Sequence, residues 1–451
     1  MLGLALLAAA SLIPAFEPKP CTAENAADPT VVCGDVRVPE DRSHPNGRTI
    51  ALNVVVLKAR SVSPDLPPLV DIDGGPGLAS TRSAAFYRVD GIAYRARRDV
   101  ILVDQRGTGG SNPLSCPKLA IQADLFDPLY PPGLVADCRA ELSKRTDLRQ
   151  YGTSSAVADL DAVRTALGHE RLDIVALSYG TTVALRYLAT YPGRTRAAVL
   201  SGTVPAEARP PQHHAVVAQQ ALAQVFADCG AEPACRTAFP DLAGDLQSAR
   251  AKLDPARAEV FMEKVRSLLY APFTARQVPF VVHRAAAGDL APLRKIAGTG
   301  APTGYFDGLY LSVTCSESIA LLDYPKAAAA ARSTLFGDYR LRRQRDACAA
   351  WPKARVPAGF LAPVRSSAAI LLLSGGRDPV TPHSWTARAA ATLPNSRVVS
   401  IPWSGHAFDG LANIDTCYDP LVVRFFDTGD AKVLAVDCLA TMLPPPFKVA
   451  D

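Results

Sequence analysis

Residues 171–193, RLDIVALSYGTTVALRYLATYPG, join an apolar, β-branched run to an amphipathic run through a single tight turn. Residues 171–180 read as a strand meeting a tight turn, and residues 181–193 as a helix stopped by Pro192 and Gly193. Between them stands Ala176-Leu177-Ser178-Tyr179-Gly180, small residues around one hydroxyl where a strand must turn sharply into a helix. The same design recurs on either side. Residues 68–77 (PLVDIDGGPG) and 99–111 (DVILVDQRGTGGS) are apolar runs ending in glycine turns, residues 159–168 have helical spacing with a terminal glycine, and residues 196–205 are again strand-like. Residues 48–59 alternate weakly and predict an earlier antiparallel strand. Strand, helix and strand in alternation predict a mostly parallel sheet with helices on both faces, an α/β fold.

The alternation stops near residue 205. From there to 362 the sequence is alanine-rich and helical in pattern, and strand patterns return only at 368–382 and 397–408, with a helix pattern between them. This organisation predicts one α/β domain carrying a helical insert. Its expected parts are a leader at 1–20, core at 21–204, helical cap at 205–362 and core again at 363–451.

The first 16 residues, MLGLALLAAASLIPAF, lack a polar face and have the length of a secretory signal core, with cleavage expected near Ala10 or Ala15. The segment is too short to span a bilayer comfortably, so no stable membrane insertion is expected after cleavage. Ten cysteines fall into chain neighbours: Cys21 and Cys33, Cys116 and Cys138, Cys229 and Cys235, Cys315 and Cys348, Cys417 and Cys438. Sequence leaves connectivity open; pairing of neighbours is the simplest solution, and it requires an oxidising compartment. No CxxC and no Cys/His cluster of zinc spacing occurs, so neither metal nor cofactor is called for. The net charge of +5 comes from scattered Lys and Arg, with no basic run suited to nucleic acid.

A serine hydroxyl is a poor nucleophile until a base takes its proton, and that base needs an acid to hold its tautomer. Ser178 alone also fits an ordinary βα turn or a helix N-cap. Two later turns supply the missing partners. Asp378 follows the apolar run 368–373 in SGGRDPVTP, and His406 follows 397–401 in SGHAF. The chain holds only seven histidines, and His44, His169, His213, His214 and His383 lie in less suitable places. An oxyanion needs two N–H donors, one after the nucleophile and one after an earlier strand. Tyr179 and the glycines of residues 73–77 (DGGPG) occupy those positions.

Together these strings resemble the proline iminopeptidase and tripeptidyl aminopeptidase-like branch of the α/β-hydrolases. That branch carries HGGPG, DQRGxGxS, GxSYG, an acid in a GxxDPVTP-like stretch and a late GH. Here they stand at residues 73–77, 104–111, 176–180, 375–382 and 405–406, with Asp73 in place of histidine and Ala176 in place of glycine. The resemblance runs from about residue 30 to 440 and implies the α/β-hydrolase fold. It implies Ser178 as nucleophile, Asp378 as orienting acid, His406 as base, and oxyanion donors at Gly75 and Tyr179. Arg106 is expected to brace the loop behind the site. Members acting on peptides use cap acids to hold the free amino terminus, and Glu317 in VTCSES is the candidate here, its other reading being a solvated or structural glutamate. The expected function is a secreted serine hydrolase, an aminopeptidase acting on small peptides. An esterase or amidase on small acyl compounds and a non-catalytic binding protein on the same scaffold are the alternatives.

Overall fold

The computed structural model describes residues 14–63, 65–120, 124–297 and 305–450. The signal expectation falls largely on residues 1–13, outside the described residues. Its last part does not stand apart from the fold: Phe16–Lys19 forms β1, the edge strand of the sheet.

Nine strands make one sheet. After β1 come β2 (Val31–Pro39), β3 (Thr49–Leu57), β4 (Leu69–Ile72), β5 (Val100–Val103), β6 (Leu172–Leu177), β7 (Thr195–Ser201), β8 (Ala369–Gly375) and β9 (Ser396–Ile401). Their spatial order is β1-β2-β3-β5-β4-β6-β7-β8-β9. The first three pair antiparallel, β3 pairs antiparallel with β5, and every pairing from β5 to β9 is parallel. The β5/β4/β6 order places the glycine turn after β4 directly beside the turn after β6.

The apolar runs are continuous because the parallel strands are covered on both faces. Val54, Val70, Ile101, Ile174 and Leu200 pack on one side against helices Thr153–Ala166 and Tyr179–Thr190. Val55, Leu69, Leu102, Val199 and Leu371 face the other side, where Phe425 and Phe426 of helix Asp419–Thr428 close the layer. Each such side chain contributes about 1.5–3 kcal/mol by leaving water.

Between β7 and β8 the described chain is helical, with its own core around Leu222, Phe239, Phe261, Val265 and Phe280. A second stretch reaches toward this cap from between β5 and the helix at 153, carrying helix Pro132–Ser143. The five disulfides join Cys21–Cys33, Cys116–Cys138, Cys229–Cys235, Cys315–Cys348 and Cys417–Cys438, each linking chain neighbours. Among the described residues no helix is long and apolar enough to cross a membrane.

Candidate active site

The turn after β6 holds Ser178 at φ 56° and ψ −127°, a conformation that costs a non-glycine residue of order 1–3 kcal/mol. It persists because the chain is clamped there. A Cβ on Gly180 would stand 2.2 Å from the carbonyl oxygen of Ile72, so only glycine lets the helix start this close to β4. Ala176, in the place of the family's glycine, is wholly buried.

From the other side of the cleft comes His406. Its Nε2 lies 2.9 Å from Ser178 Oγ, and its Nδ1 lies 2.9 Å from Asp378 Oδ2. Asp378 is fixed in turn: Oδ1 accepts the backbone N–H groups of Val380 and Thr381 at 2.7 and 2.8 Å, and Oδ2 accepts the Thr381 hydroxyl at 2.5 Å. Burial pushes the Asp378 carboxyl up, but His406 and these hydrogen bonds outweigh it and hold the group below its ordinary range. Sequence reasoning did not single out Thr381, whose hydroxyl also lies 3.2 Å from His406 Nδ1. The signal was the TP pair at the end of DPVTP. Tyr270 of the cap sets its ring edge-on to the His406 imidazole, with centroids 5.5 Å apart, and its carbonyl accepts the N–H of Ala407.

The glycine turn after β4 faces Ser178. Gly75 has φ 110°, which an L side chain resists. Among the described residues no protein acceptor takes the backbone N–H of Gly75 or of Tyr179, and both residues line the cavity with Ser178. Asp73 does real structural duty in the place of the family's histidine. Its carboxylate accepts the Gly74 N–H at 2.8 Å and pairs with Arg82 at 2.8 Å, while its carbonyl accepts from Gln105 Nε2 at 3.1 Å. Arg106 points away from the cavity. It grips Asp159 through Nε and Nη2 at 2.5 and 2.7 Å and donates to the carbonyls of Glu40 and Gln150, bracing the loop from behind.

Ser178 and His406 open into a cavity of about 1090 Å³ roofed by the cap. Tyr130, Tyr305 and Tyr310 form an aromatic wall, the first and last of them stacked at 5.9 Å. Glu317 lines this cavity, buried rather than solvated, on a π-helical turn at Thr314–Ser318. Such turns displace side chains from the regular helical face. Its two oxygens accept the N–H and hydroxyl of Thr153 at 2.6 and 2.5 Å, and Thr153 Oγ1 meets the Tyr179 hydroxyl at 2.9 Å. Burial pushes the Glu317 carboxyl up to about 7, against the pull of both Thr153 bonds. A second buried carboxylate, Asp307, was not legible in the sequence. Among the described residues it has no cationic partner; it lines the cavity, and burial raises it to about 6. Among the described residues no group of three His, Cys, Asp or Glu side chains is placed to hold a metal ion.

The chain matches the family model described as alpha/beta hydrolase fold over residues 67–408. It is 30% identical over 227 residues to the tripeptidyl aminopeptidase of Streptomyces lividans, covering 45% of this chain and 41% of that one. It is 29% identical over 223 residues to the serine protease Hip1 of Mycobacterium tuberculosis, covering 45% and 42%. The chain thus spans about two fifths of the length of these curated relatives. Among solved structures, the proline iminopeptidase of Mycobacterium smegmatis aligns over 88% of this chain and 99% of that one, at 16% identity and a TM-score of 0.44. A family match that begins just before β4 and ends just beyond His406 encloses the whole cleft, and the chain belongs to the alpha/beta hydrolase fold family.

Proposed function

We propose that the protein is an extracytoplasmic serine hydrolase that cleaves amide bonds at peptide amino termini through an acyl-enzyme. The observation that carries this reading is one imidazole held at 2.9 Å from both a hydroxyl and a buried carboxylate. His406 takes the Ser178 proton as Oγ attacks the scissile carbonyl carbon. The N–H groups of Gly75 and Tyr179 receive the oxyanion, in an arrangement where one donor is worth about 3–4 kcal/mol. Collapse breaks the C–N bond, and His406 passes its proton to the departing amine. Water, deprotonated by the same imidazole, then releases the acyl group and restores Ser178.

The preference for a free amino terminus rests on Glu317. A buried carboxylate with hydrogen-bond donors but, among the described residues, no cation paired with it is suited to an incoming ammonium, and Asp307 offers a second. The curated relatives named as a tripeptidyl aminopeptidase and a serine protease support the choice of peptides. Five disulfides support an oxidising compartment. The test sets aminoacyl and tripeptidyl chromogenic amides beside short-chain p-nitrophenyl esters and N-blocked amides. Turnover of free-amine amides is expected; turnover confined to esters and blocked substrates would replace this reading with an esterase.

The acidity of Glu317 gives a further expected result. Above pH 7 the carboxylate is charged and holds the ammonium; as pH falls through about 7 it takes a proton and the attraction is lost. KM for free-amine substrates is therefore expected to rise several-fold on the acid side, with no such limb for N-blocked substrates. Glu317→Gln should give the raised KM at every pH. A pH-independent KM ratio between free and blocked substrates in the wild type would rule Glu317 out.

A further inference from the structure

Besides these carboxylates, the cap presents a cluster of the other sign to the same cavity. Glu263 lies between two arginines that both line the catalytic cavity. Arg266 binds it through Nε and Nη2 at 3.0 and 2.7 Å, and Arg340 binds it through Nε at 3.0 Å and Nη2 at 2.5 Å. Arg266 spends its remaining Nη1 on the Tyr270 hydroxyl at 2.9 Å. No hydrogen bond among the described residues uses Nη1 of Arg340. Two guanidiniums therefore share one carboxylate, and one fork keeps donors unspent. Lys264 lines the same wall, where Glu263 and, less strongly, Asp127 attract it.

A surplus positive charge out of water is costly unless an anion completes it. His214 does not supply one: it is buried against the pair, and both burial and the two arginines keep its ring neutral. The cluster also sits close to the chemistry. The Arg266 guanidinium lies 5.2 Å from the centroid of Tyr270, whose ring abuts His406. One tyrosine ring thus separates the cations from the imidazole, a span that two or three residues of extended peptide cover at about 3.4 Å each. A planar guanidinium with free N–H groups matches a carboxylate in shape as well as charge.

We propose that Arg340, held with Arg266 around Glu263, forms a carboxylate-binding subsite of the catalytic cavity that selects substrates with an acidic group near the scissile bond. This inference rests on the hydrolase reading above and adds a preference within it. The acidic group has two sources, an Asp or Glu side chain or the free carboxyl terminus of a short peptide. Both are tested by isosteric pairs on the full oxidised chain: tripeptidyl chromogenic amides carrying Glu or Gln at each position in turn, and short peptides with free or amidated carboxyl termini.

Wild type is expected to favour the acid over its amide isostere by tenfold or more in kcat/KM for at least one pair, and that pair identifies the source. Arg340→Met should bring the ratio close to one. Arg340→Lys, which keeps the charge but not the fork, should keep part of it. A wild type that cleaves both members of every pair equally would overturn the subsite alone, as would an acid preference undiminished in Arg340→Met. A wild type that cleaves nothing and whose Ser178 no fluorophosphonate labels would overturn the hydrolase reading, and this one with it.

Discussion

Ser178→Ala is expected to lower kcat by about a million-fold, the scale on which loss of the nucleophile acts in enzymes built on this chemistry. The size follows from what remains. Without Oγ there is no acyl-enzyme, and only cavity binding and the two N–H donors still assist direct attack by water. The fold should not suffer, because among the described residues the only hydrogen bond the Ser178 hydroxyl makes is to His406 Nε2. Single-turnover kinetics with a chromogenic amide and a thermal melt measure the two effects separately. A variant that melts like the wild type and still turns over at more than about one per cent of its rate would mean that Ser178 is not the nucleophile.

Asp378→Asn is expected to lower kcat by about ten-thousand-fold while changing the shape of the site hardly at all. The backbone decides how the new amide points. The N–H groups of Val380 and Thr381 both donate to Oδ1, so the amide oxygen must take that position and the NH₂ group the other. The NH₂ then faces His406 Nδ1, where the carboxylate oxygen had been, and a donor there forces the imidazole proton onto Nε2. An imidazole protonated at Nε2 cannot accept the proton of Ser178. Steady-state kcat of the purified variant checks this, and a loss below about tenfold would show that Asp378 does not set the tautomer.

How much of this was legible in the sequence depended on how local the signal was. Ser178, Asp378 and His406 each sit in a short turn directly after an apolar strand, so a few residues on either side describe their setting. The parallel half of the sheet was legible for the same reason. β1 and β2 were not singled out, since β1 is four residues long and gains its place only by pairing with β2 and through the Cys21–Cys33 bridge. Glu317 was legible as a position but not in its environment: it is buried, and the Thr153 that holds its carboxylate lies far away in the chain. Asp307, Tyr270, Arg266 and Arg340 carry no motif. Arg266 and Arg340 meet only because the cap helices at 255–268 and 339–349 pack against each other, and helical periodicity says which face of each is buried, not what that face meets.

The central claim is that His406 makes Ser178 a nucleophile, and covalent labelling tests it without knowledge of the substrate. The oxidised protein is treated with a fluorophosphonate, digested, and mapped by peptide mass spectrometry, beside His406→Ala treated identically. The account predicts near-stoichiometric label on Ser178 in the wild type and almost none in the variant. Label on another residue, or equal labelling rates with and without the imidazole, would contradict it.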